Sequence, residues 1–253
     1  MNKISVVIIT LNEERNIARC LDSVQDVADE IVVVDSYSTD ATEQLCRQRG
    51  VRFISHSWEG YVGTKNFADS QASYDLILSI DADEALSPTL SESIKWIKQQ
   101  DIEGKAFSVD RLMNYCGKWI RHGGWYPDTK VRIFNRRTAQ WTGQKVHETL
   151  SLTPGTEVMH LDGELLHYSF YTPEEHEKQM IRFAELSAQE LADKSKQCNV
   201  ATACLHTAWK WIRDYIVKGG FLDGRDGWNI SKTNAYGVWY KYMKAIEIQK
   251  DKR

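Results

Sequence analysis

The sequence of 253 residues predicts an α/β protein with an open, mostly parallel sheet and flanking helices. Three observations favour this class. A continuous β-branched run, ISVVIIT at Ile4–Thr10, is typical of a strand buried on both faces of a parallel sheet. Similar runs alternate with helical spacings over short connections, which predicts right-handed βαβ units. Each run ends in polar residues, where ligands bind in such sheets.

The first third of the chain supplies four predicted strands separated by helices. Asn12 is a candidate N-cap for the first helix, whose apolar residues recur at helical spacing, with Glu13 in its first turn. Asp40 or Thr39 is a candidate cap for the second helix, and a third helix is expected near Thr64–Ala72. The predicted strands are Ile4–Thr10, Ile31–Val34, Val51–Ile54 and Leu76–Ile80.

The stretch LILSIDADE, at Leu76–Glu84, carries the most specific chemistry. Side chains two residues apart in an extended segment point the same way, so Asp81 and Asp83 can face one point beyond the strand. Paired carboxylates suit Mg²⁺ or Mn²⁺ shared with substrate phosphates. An isolated DxD also fits a polar turn at the end of a buried strand.

Polar side chains at three predicted strand ends favour a ligand crevice over an isolated turn. Asn12, Asp35 and the Asp81/Asp83 pair all follow strands, and the carboxyl ends of parallel strands share one edge of a sheet. The first turn is LNEE and has no glycine-rich phosphate loop, which disfavours a dinucleotide fold or a P-loop. A metal and side chains would have to hold any phosphates.

Composition and charge limit the kinds of protein that this chain can be. The chain is 42% apolar and 26% charged, as expected of a globular protein. Its five cysteines lack zinc spacing, and its longest apolar runs are too short for a signal peptide or a spanning helix. We therefore expect a cytoplasmic protein, with peripheral contact to the inner face of the cytoplasmic membrane as an alternative. The net charge of −3 argues against nucleic-acid binding.

The ordered motifs VVIITLNEERNIARCLDSV, IVVVDSYSTDAT, GTKNFA and LSIDADE resemble the family 2 glycosyltransferases, which have the GT-A fold. The later stretches WIRHGGWYPDTKVRIFNR and KVHETL are similar to the branch of lipopolysaccharide core β-glucosyltransferases. The resemblance is close over residues 4–84 and extends to about Tyr168. One departure is Glu13, where many relatives have a proline.

The resemblance implies roles for individual residues. The nucleotide-sugar would contact Thr10, Leu11, Glu13, Asp35, Ser36, Asp40, Lys65, Asn66, Asp81 and Ala82. Asp81, Asp83 and His167 would hold a divalent metal, Mg or Mn. Glu148, with His147 beside it, would act as the base that takes the proton of the acceptor hydroxyl. The acceptor would contact Arg111, Trp125 and Asp128, although rings in this region also suit a core.

Beyond Thr172 the pattern becomes helical, so we expect a GT-A domain at residues 1–172 and a helical C-terminal extension at 173–253. Thr172 is a predicted N-cap with Pro173 in the first turn. From Leu205 onwards there are ten Lys and Arg against five Asp and Glu, in helices that also carry tryptophans. Such helices suit a membrane interface and equally suit packing against the sheet.

The sequence therefore predicts a metal-dependent inverting glycosyltransferase. It would move a sugar, such as the hexose glucose, from a UDP-sugar to a glycolipid or oligosaccharide acceptor in lipopolysaccharide core or cell-envelope synthesis. A nucleotidylyltransferase would require a glycine-rich loop after the first strand. The remaining alternative is a nucleotide-binding or membrane-docking protein on a catalytically degenerate GT-A scaffold.

Overall fold

The computed structural model describes residues 1–144, 147–193 and 198–251. The chain divides into two compact units. The first comprises Met1–Arg111 and Asp128–Tyr168, and the second comprises Leu112–Pro127 and Ser169–Arg253. Residues 112–127 thus belong to the second unit, whereas the predicted division at residue 172 assigns them to the first.

The first unit begins with alternating strands and helices, as the sequence predicts. Long apolar runs form the strands because both of their faces are covered. The elements in chain order are β1 (Ile4–Thr10), α1 (Ile17–Val24), β2 (Glu30–Asp35), α2 (Thr42–Gln48), β3 (Arg52–Ser55), α3 (Gly60–Ser70) and β4 (Leu76–Asp81).

The sheet continues beyond β4 through antiparallel strands. The further elements are β5 (Glu84–Leu86), α4 (Pro88–Ile97), β6 (Lys105–Tyr115), β7 (Lys118–Ile120), β8 (Asp128–Asn135), β9 (Ala139–Gln144), β10 (His147–Leu152) and β11 (Glu157–Phe170). The strand order is β3-β2-β1-β4-β8-β6-β11-β5, with β3, β2, β1 and β4 parallel. β9 and β10 form a separate hairpin. The predicted α/β class with an open sheet and flanking helices is confirmed.

Two apolar layers enclose the parallel strands. Alternate residues of β1 point to opposite faces, so Val6 and Ile8 pack in the layer that contains α1, while Val7 and Ile9 pack in the layer that contains Ala68 of α3. Each of these four β1 side chains is at most 9% exposed. Burial on both faces holds the strand ends at one edge of the sheet.

The first strand turn differs from the prediction. Asn12 is not an N-cap: α1 begins at Ile17, and Asn12 has a left-handed backbone with φ of 55°. Its side-chain oxygen accepts a hydrogen bond from the backbone nitrogen of Thr39 (2.8 Å), and its own backbone nitrogen donates to the Ser38 hydroxyl (2.7 Å). Asn12 therefore ties the loop after β1 to the loop after β2.

The second unit is largely helical, which confirms the predicted helical C-terminal extension. Thr172 caps α5: its hydroxyl accepts from the Glu175 backbone nitrogen (3.3 Å), and the Glu175 carboxylate accepts from the Thr172 nitrogen (3.3 Å). Within the described ranges, no helix is both long enough and apolar enough to cross a membrane. The elements are α5 (Pro173–Asp193), α6 (Val200–Trp211), a π-helical segment (Ile212–Val217), a 3₁₀ turn (Gly220–Asp223) and α7 (Gly224–Asp251).

Candidate functional site

The carboxyl ends of β1, β2 and β4 lie at one edge of the first unit. Thr10 and Asp35 are partners in the β1–β2 register, and Ile9 pairs with Asp81 of β4. The hydroxyls of Thr10 and Ser36 are buried there without a hydrogen-bond partner. Buried polar groups normally have partners, so two unsatisfied hydroxyls at one edge are a feature typical of a ligand site.

Asp35 and Asp40 shape the loop after β2. The Asp35 carboxylate is 2% exposed and accepts hydrogen bonds from the backbone nitrogen (2.8 Å) and hydroxyl of Ser38. Asp40 accepts from the backbone nitrogen (3.0 Å) and hydroxyl (2.6 Å) of Thr42, and from the Glu14 nitrogen (3.0 Å). Burial opposes ionisation of Asp40, but these bonds outweigh it and lower its pKa. The loop is thus held in place by the same carboxylates that the resemblance assigns to the nucleotide.

Asp81 is engaged in ion pairs, and its role as a metal ligand stays a prediction. Its Oδ1 lies 2.7 Å from Lys65 Nζ, and its Oδ2 lies 3.2 Å from Arg132 Nη2. Burial favours the neutral acid, but the two cations outweigh it and hold the pKa of Asp81 well below its usual range. A metal ion at the same carboxylate would be repelled by both cations. The Asp81 carboxylate therefore joins the end of β4 to Lys65 of α3 and Arg132 of β8.

Arg132 and Glu84 complete this ion-pair network, which the sequence analysis did not predict. Glu84 is 1% exposed; its Oε1 lies 2.6 Å from Arg132 Nη2 and 3.3 Å from Arg111 Nη1, while its Oε2 accepts from the Asp81 backbone nitrogen (3.0 Å). The available signal was a charged residue inside an apolar strand, the arginine of VRIF in β8. Burial of an arginine requires carboxylate partners.

Asp83, two residues further on, has a different environment. Its Oδ2 lies 3.0 Å from His167 Nε2, and its backbone carbonyl accepts a hydrogen bond from the Tyr168 nitrogen (2.9 Å). Burial lowers the pKa of His167, but the Asp83 carboxylate raises it more, so the net shift is upward. A carboxylate oxygen and an imidazole nitrogen from strands distant in sequence thus meet beside the end of β4.

This donor pair has the chemistry of part of a divalent-metal site. Carboxylate oxygen and imidazole nitrogen are both ligands for Mn²⁺, whereas Mg²⁺ prefers oxygen. In the part of the chain that the structure describes, no group of three or more His, Cys, Asp or Glu side chains is arranged to hold an ion. Asp83 and His167 therefore fit a metal only as part of a shell that the substrate and water complete.

Glu13 is electrostatically coupled to the same pair. Burial raises the pKa of Glu13 to about 7, a hydrogen bond from Asn16 opposes this, and the charges of Asp83 and Asp40 add to it. His167 has the opposite effect on the Glu13 carboxyl. The residue that replaces the family's frequent proline is consequently a titratable group of this site.

Lys65 and Asn66 of α3 both contact Trp141 of β9. Lys65 Nζ lies 4.8 Å from the Trp141 ring centroid. The Asn66 amide donates to the Trp141 carbonyl (2.9 Å) and accepts from the Trp141 nitrogen (3.0 Å). Both ends of the Asn66 amide are thus occupied by the Trp141 backbone, and its nucleotide contact stays a prediction.

Two predicted nucleotide-binding side chains differ in exposure. Ala82 is 3% exposed and packs in the core layer that contains α1, and its nucleotide contact stays a prediction. Leu11 is 47% exposed after the end of β1. Of these two side chains, Leu11 alone is accessible at the edge.

The predicted catalytic pair lies on β10. Glu148 is half-buried and faces Gly143 in the register of the β9–β10 hairpin. The side chain of His147, and residues 145 and 146, lie outside the described residues. The role of Glu148 as a base therefore stays a prediction.

The predicted acceptor residues fall in both units. In the first, Arg111 and Asp128 form an ion pair with an Nη2–Oδ2 distance of 2.7 Å. Burial raises the pKa of Asp128, but Arg111 and Lys130 outweigh it and lower the pKa overall. In the second unit, Trp125 packs edge-on against Tyr115, with ring centroids 5.9 Å apart. Trp125 thus contributes to a core cluster of that unit.

The sequence model of Glycosyl transferase family 2 matches residues 5–151, more than half of the chain. This protein therefore belongs to the family 2 glycosyltransferases, and the predicted GT-A-type α/β fold agrees with its sheet order. The match includes the ends of β1, β2 and β4 and the residues Asp81, Asp83 and Glu148.

Relatives extend the similarity over nearly the whole chain. A protein of Rickettsia felis named "Uncharacterized glycosyltransferase" is 30% identical over 262 residues, which cover 98% of this chain and 90% of that protein. The "Lipopolysaccharide core biosynthesis glycosyltransferase LpsC" of Rhizobium meliloti is 28% identical over 251 residues, covering 97% of this chain and 91% of LpsC. The second unit is therefore shared with these relatives.

Similarity to solved structures is weaker. Glucosyl-3-phosphoglycerate synthase from Mycobacterium tuberculosis, solved with Mn²⁺, uridine diphosphate and glucosyl-3-phosphoglycerate, is 26% identical and gives a TM-score of 0.37. The overlap covers 45% of this chain and 44% of that protein.

Proposed function

We propose that this protein transfers a hexose such as glucose from a UDP-sugar to a glycolipid acceptor of the cell envelope, with inversion at the anomeric carbon. The observation that carries the proposal is the Asp83–His167 contact (3.0 Å), at the edge where the Thr10 and Ser36 hydroxyls lack partners. The acceptor class is supported by similarity to LpsC, a lipopolysaccharide core glycosyltransferase, along 97% of this chain.

The donor would lie across the ends of β1, β2 and β4. The unsatisfied hydroxyls of Thr10 and Ser36 and the buried carboxylate of Asp35 supply polar groups for a nucleoside. Asp83 and His167 would hold a divalent metal, which when bound offsets the negative charge of the leaving diphosphate. Lys65, paired with Asp81, adds a fixed positive charge to the same strand end.

Glu148 would act as the general base. In the reaction, the acceptor hydroxyl oxygen forms a bond to the anomeric carbon while the bond from that carbon to the diphosphate oxygen breaks. The hydroxyl proton passes to the Glu148 carboxylate, and UDP leaves with the electron pair. Attack opposite to the leaving group inverts the configuration.

Ligand-induced thermal stabilisation tests the donor site. Melting temperatures would be measured with UDP, GDP or CMP, each with and without Mn²⁺, for the wild type and Asp83→Ala. Asp22→Ala is the matched control because Asp22 is exposed and pairs with Arg49 away from the strand ends. We expect a shift with UDP that requires Mn²⁺ and is lost only in Asp83→Ala. No shift with any nucleotide would contradict the proposal.

Transfer itself separates an enzyme from a degenerate scaffold. UDP release from UDP-glucose would be measured with isolated lipopolysaccharide core acceptors, for the wild type and Glu148→Gln. If Glu148→Gln turns over at least about a hundredfold more slowly at saturating substrate, with UDP binding unchanged, the result supports Glu148 as the base. UDP binding without transfer to any of these acceptors would favour the scaffold alternative.

A further inference from the structure

Part of the second unit exposes large apolar side chains to solvent. We call this the apolar strip: it runs along α6 and through the two segments that follow. Its members are between 39% and 71% exposed. They are Leu205, Trp209, Ile212, Ile216, Val217, Phe221 and Leu222.

The strip reverses the usual amphipathic pattern of a surface helix. Leu205, Trp209 and Ile216 follow one another at helical spacing and share the exposed face. The buried face instead carries a small residue, Ala203 (0% exposed), and a carboxylate, Asp214 (1% exposed). An exposed apolar helix face is typical of a surface that contacts another protein or a membrane.

The exposed charge of the same segment is positive. Between residues 200 and 225 the acidic residues are Asp214 and Asp223, and both are buried. Asp214 lies 2.7 Å from Lys210 Nζ and 3.0 Å from Arg213 Nη2, and the Asp223 carboxylate accepts from the His122 backbone nitrogen (2.9 Å).

Lys218 and Arg225 flank the 3₁₀ turn that carries Phe221 and Leu222, and both are exposed. No salt-bridge partner within the described residues neutralises either of these cations. The apolar strip therefore has a cationic rim, and the carboxylates of its segment are withdrawn into the protein.

We propose that the apolar strip inserts into the interface of an anionic phospholipid bilayer. Aromatic and aliphatic side chains would enter the boundary between headgroups and acyl chains, while Lys218 and Arg225 contact anionic headgroups. A two-fold contact with a second copy of the chain would instead bring two cationic rims together. Charge complementarity thus favours an anionic lipid surface.

Vesicle co-sedimentation of the full-length protein tests this. The vesicles contain either phosphatidylcholine alone or phosphatidylcholine with phosphatidylglycerol. Wild type should bind the anionic vesicles, and Trp209→Ser with Phe221→Ser should weaken binding by about tenfold or more. Trp96→Ser is the matched control, because Trp96 is 54% exposed on α4 and Trp209 is 57% exposed. This control should bind like the wild type.

A second pair of variants tests the charge. Lys218→Gln with Arg225→Gln should weaken binding by up to about 25-fold, at about fivefold per cation near the surface, and should weaken the salt dependence. Arg137→Gln, at an arginine with a 75% exposed side chain in the first unit, should have no effect. Circular dichroism melts establish that each variant is folded.

Three outcomes would overturn the proposal. They are absence of binding to anionic vesicles, equal binding to neutral vesicles, and equal losses in Trp96→Ser and the strip variant. A dimer of the wild type in sedimentation equilibrium that is lost in Trp209→Ser would also overturn it, because the apolar strip would then be covered by a second copy of the chain. Neither donor nor acceptor is present in these measurements, so their result is independent of the proposed transfer activity.

Discussion

Asp83 and His167, 84 residues apart in sequence, meet with an Oδ2–Nε2 distance of 3.0 Å. The adjacent Tyr168 nitrogen donates to the Asp83 carbonyl (2.9 Å), so β11 holds both the backbone and the side chain of Asp83. This arrangement limits the rotamers of the carboxylate before any ligand binds. Preorganisation of this kind is what a metal–diphosphate site requires.

We predict that Asp83 and His167 act as one unit. Asp83→Ala and His167→Ala should each lower kcat/KM by about a hundredfold or more, and the double variant should be little worse than the less active single variant. The measurement is a double-mutant cycle at saturating Mn²⁺. His206→Ala is the control, since His206 is exposed on α6. Multiplicative losses in the double variant would show that the two residues act independently.

The affinity for Mn²⁺ should depend on pH through His167. Burial lowers the pKa of His167, but the upward effect of the Asp83 carboxylate is larger. The imidazole therefore keeps its proton to a higher pH than usual. Metal binding needs the neutral ring and must displace that proton. Mn²⁺ affinity, measured by calorimetry with UDP present, should therefore fall as the pH falls through this raised pKa. His167→Gln should lose this dependence, and a pH-independent wild type would contradict the assignment.

Lys65 is expected to be essential for folding stability as well as for the site. Its side chain is 2% exposed and pairs with Asp81, whose side chain is 26% exposed, so Lys65→Met leaves this partly buried carboxylate with Arg132 as its remaining ion-pair partner. Breaking a fully buried pair typically costs about 3–5 kcal/mol, and water reaching the partly exposed Asp81 reduces the cost below this range. Urea unfolding should show that loss, whereas Lys95→Met, at an exposed i,i+3 pair with Glu92, should not. Unchanged stability in Lys65→Met would contradict the role of this pair.

Asp69 is expected to destabilise the fold at neutral and alkaline pH. Burial raises its pKa to about 7, while Trp141 Nε1 donates to its Oδ2 (2.9 Å) and its Oδ1 has no partner. The pKa of Asp69 is higher in the folded protein than in the unfolded chain. The free energy of unfolding therefore falls as the pH rises from about 4 through 7.

Asp69→Asn should consequently stabilise the protein at pH 8, by at most about 4 kcal/mol for a shift of about three pKa units. The difference should shrink towards pH 4, where the Asp69 carboxyl is largely neutral in the folded state. Denaturant unfolding at the two pH values measures it. Asp22→Asn, at an exposed aspartate paired with Arg49, should not stabilise at pH 8. A destabilised Asp69→Asn at pH 8 would contradict the shift.

His176 should make the second unit sensitive to acid. Burial lowers its pKa to about 4, although a hydrogen bond with Asn234 opposes this, and its ring packs against Phe170 with centroids 4.8 Å apart. Below about pH 6.5 the His176 imidazole is protonated in the unfolded chain, whereas in the folded protein it stays neutral down to about pH 4. Stability should therefore fall as the pH drops from about 6.5 to 4, by at most about 3 kcal/mol.

The His176→Gln variant isolates this effect. Its stability should fall less than that of the wild type between about pH 6.5 and 4, because the contribution of His176 is absent. The control His206→Gln, at an exposed histidine, should show the same pH dependence of stability as the wild type. Thermal unfolding followed by tryptophan fluorescence provides the comparison. Identical pH profiles for wild type and His176→Gln would contradict a buried neutral imidazole.

The fold class, and the edge at which the polar strand ends meet, could be predicted because both depend on local patterns. Strands buried on both faces require continuous apolar runs, such as ISVVIIT, and ligands bind where parallel strands end. The detailed roles were harder to predict. Asn12 was expected to cap a helix, but a left-handed backbone, with φ of 55°, directs it to the neighbouring loop.

The sequence by itself determined the alternation of β1–β4 with their helices, the polar strand ends and the amphipathic C-terminal helices. Only the tertiary structure decided that Asp81 faces Lys65 and Arg132, 16 and 51 residues away, while Asp83 faces His167. It also decided that the apolar side of α6 faces outward. The physical reason is that periodicity specifies which residues share a face, whereas the partner of that face depends on contacts between distant segments.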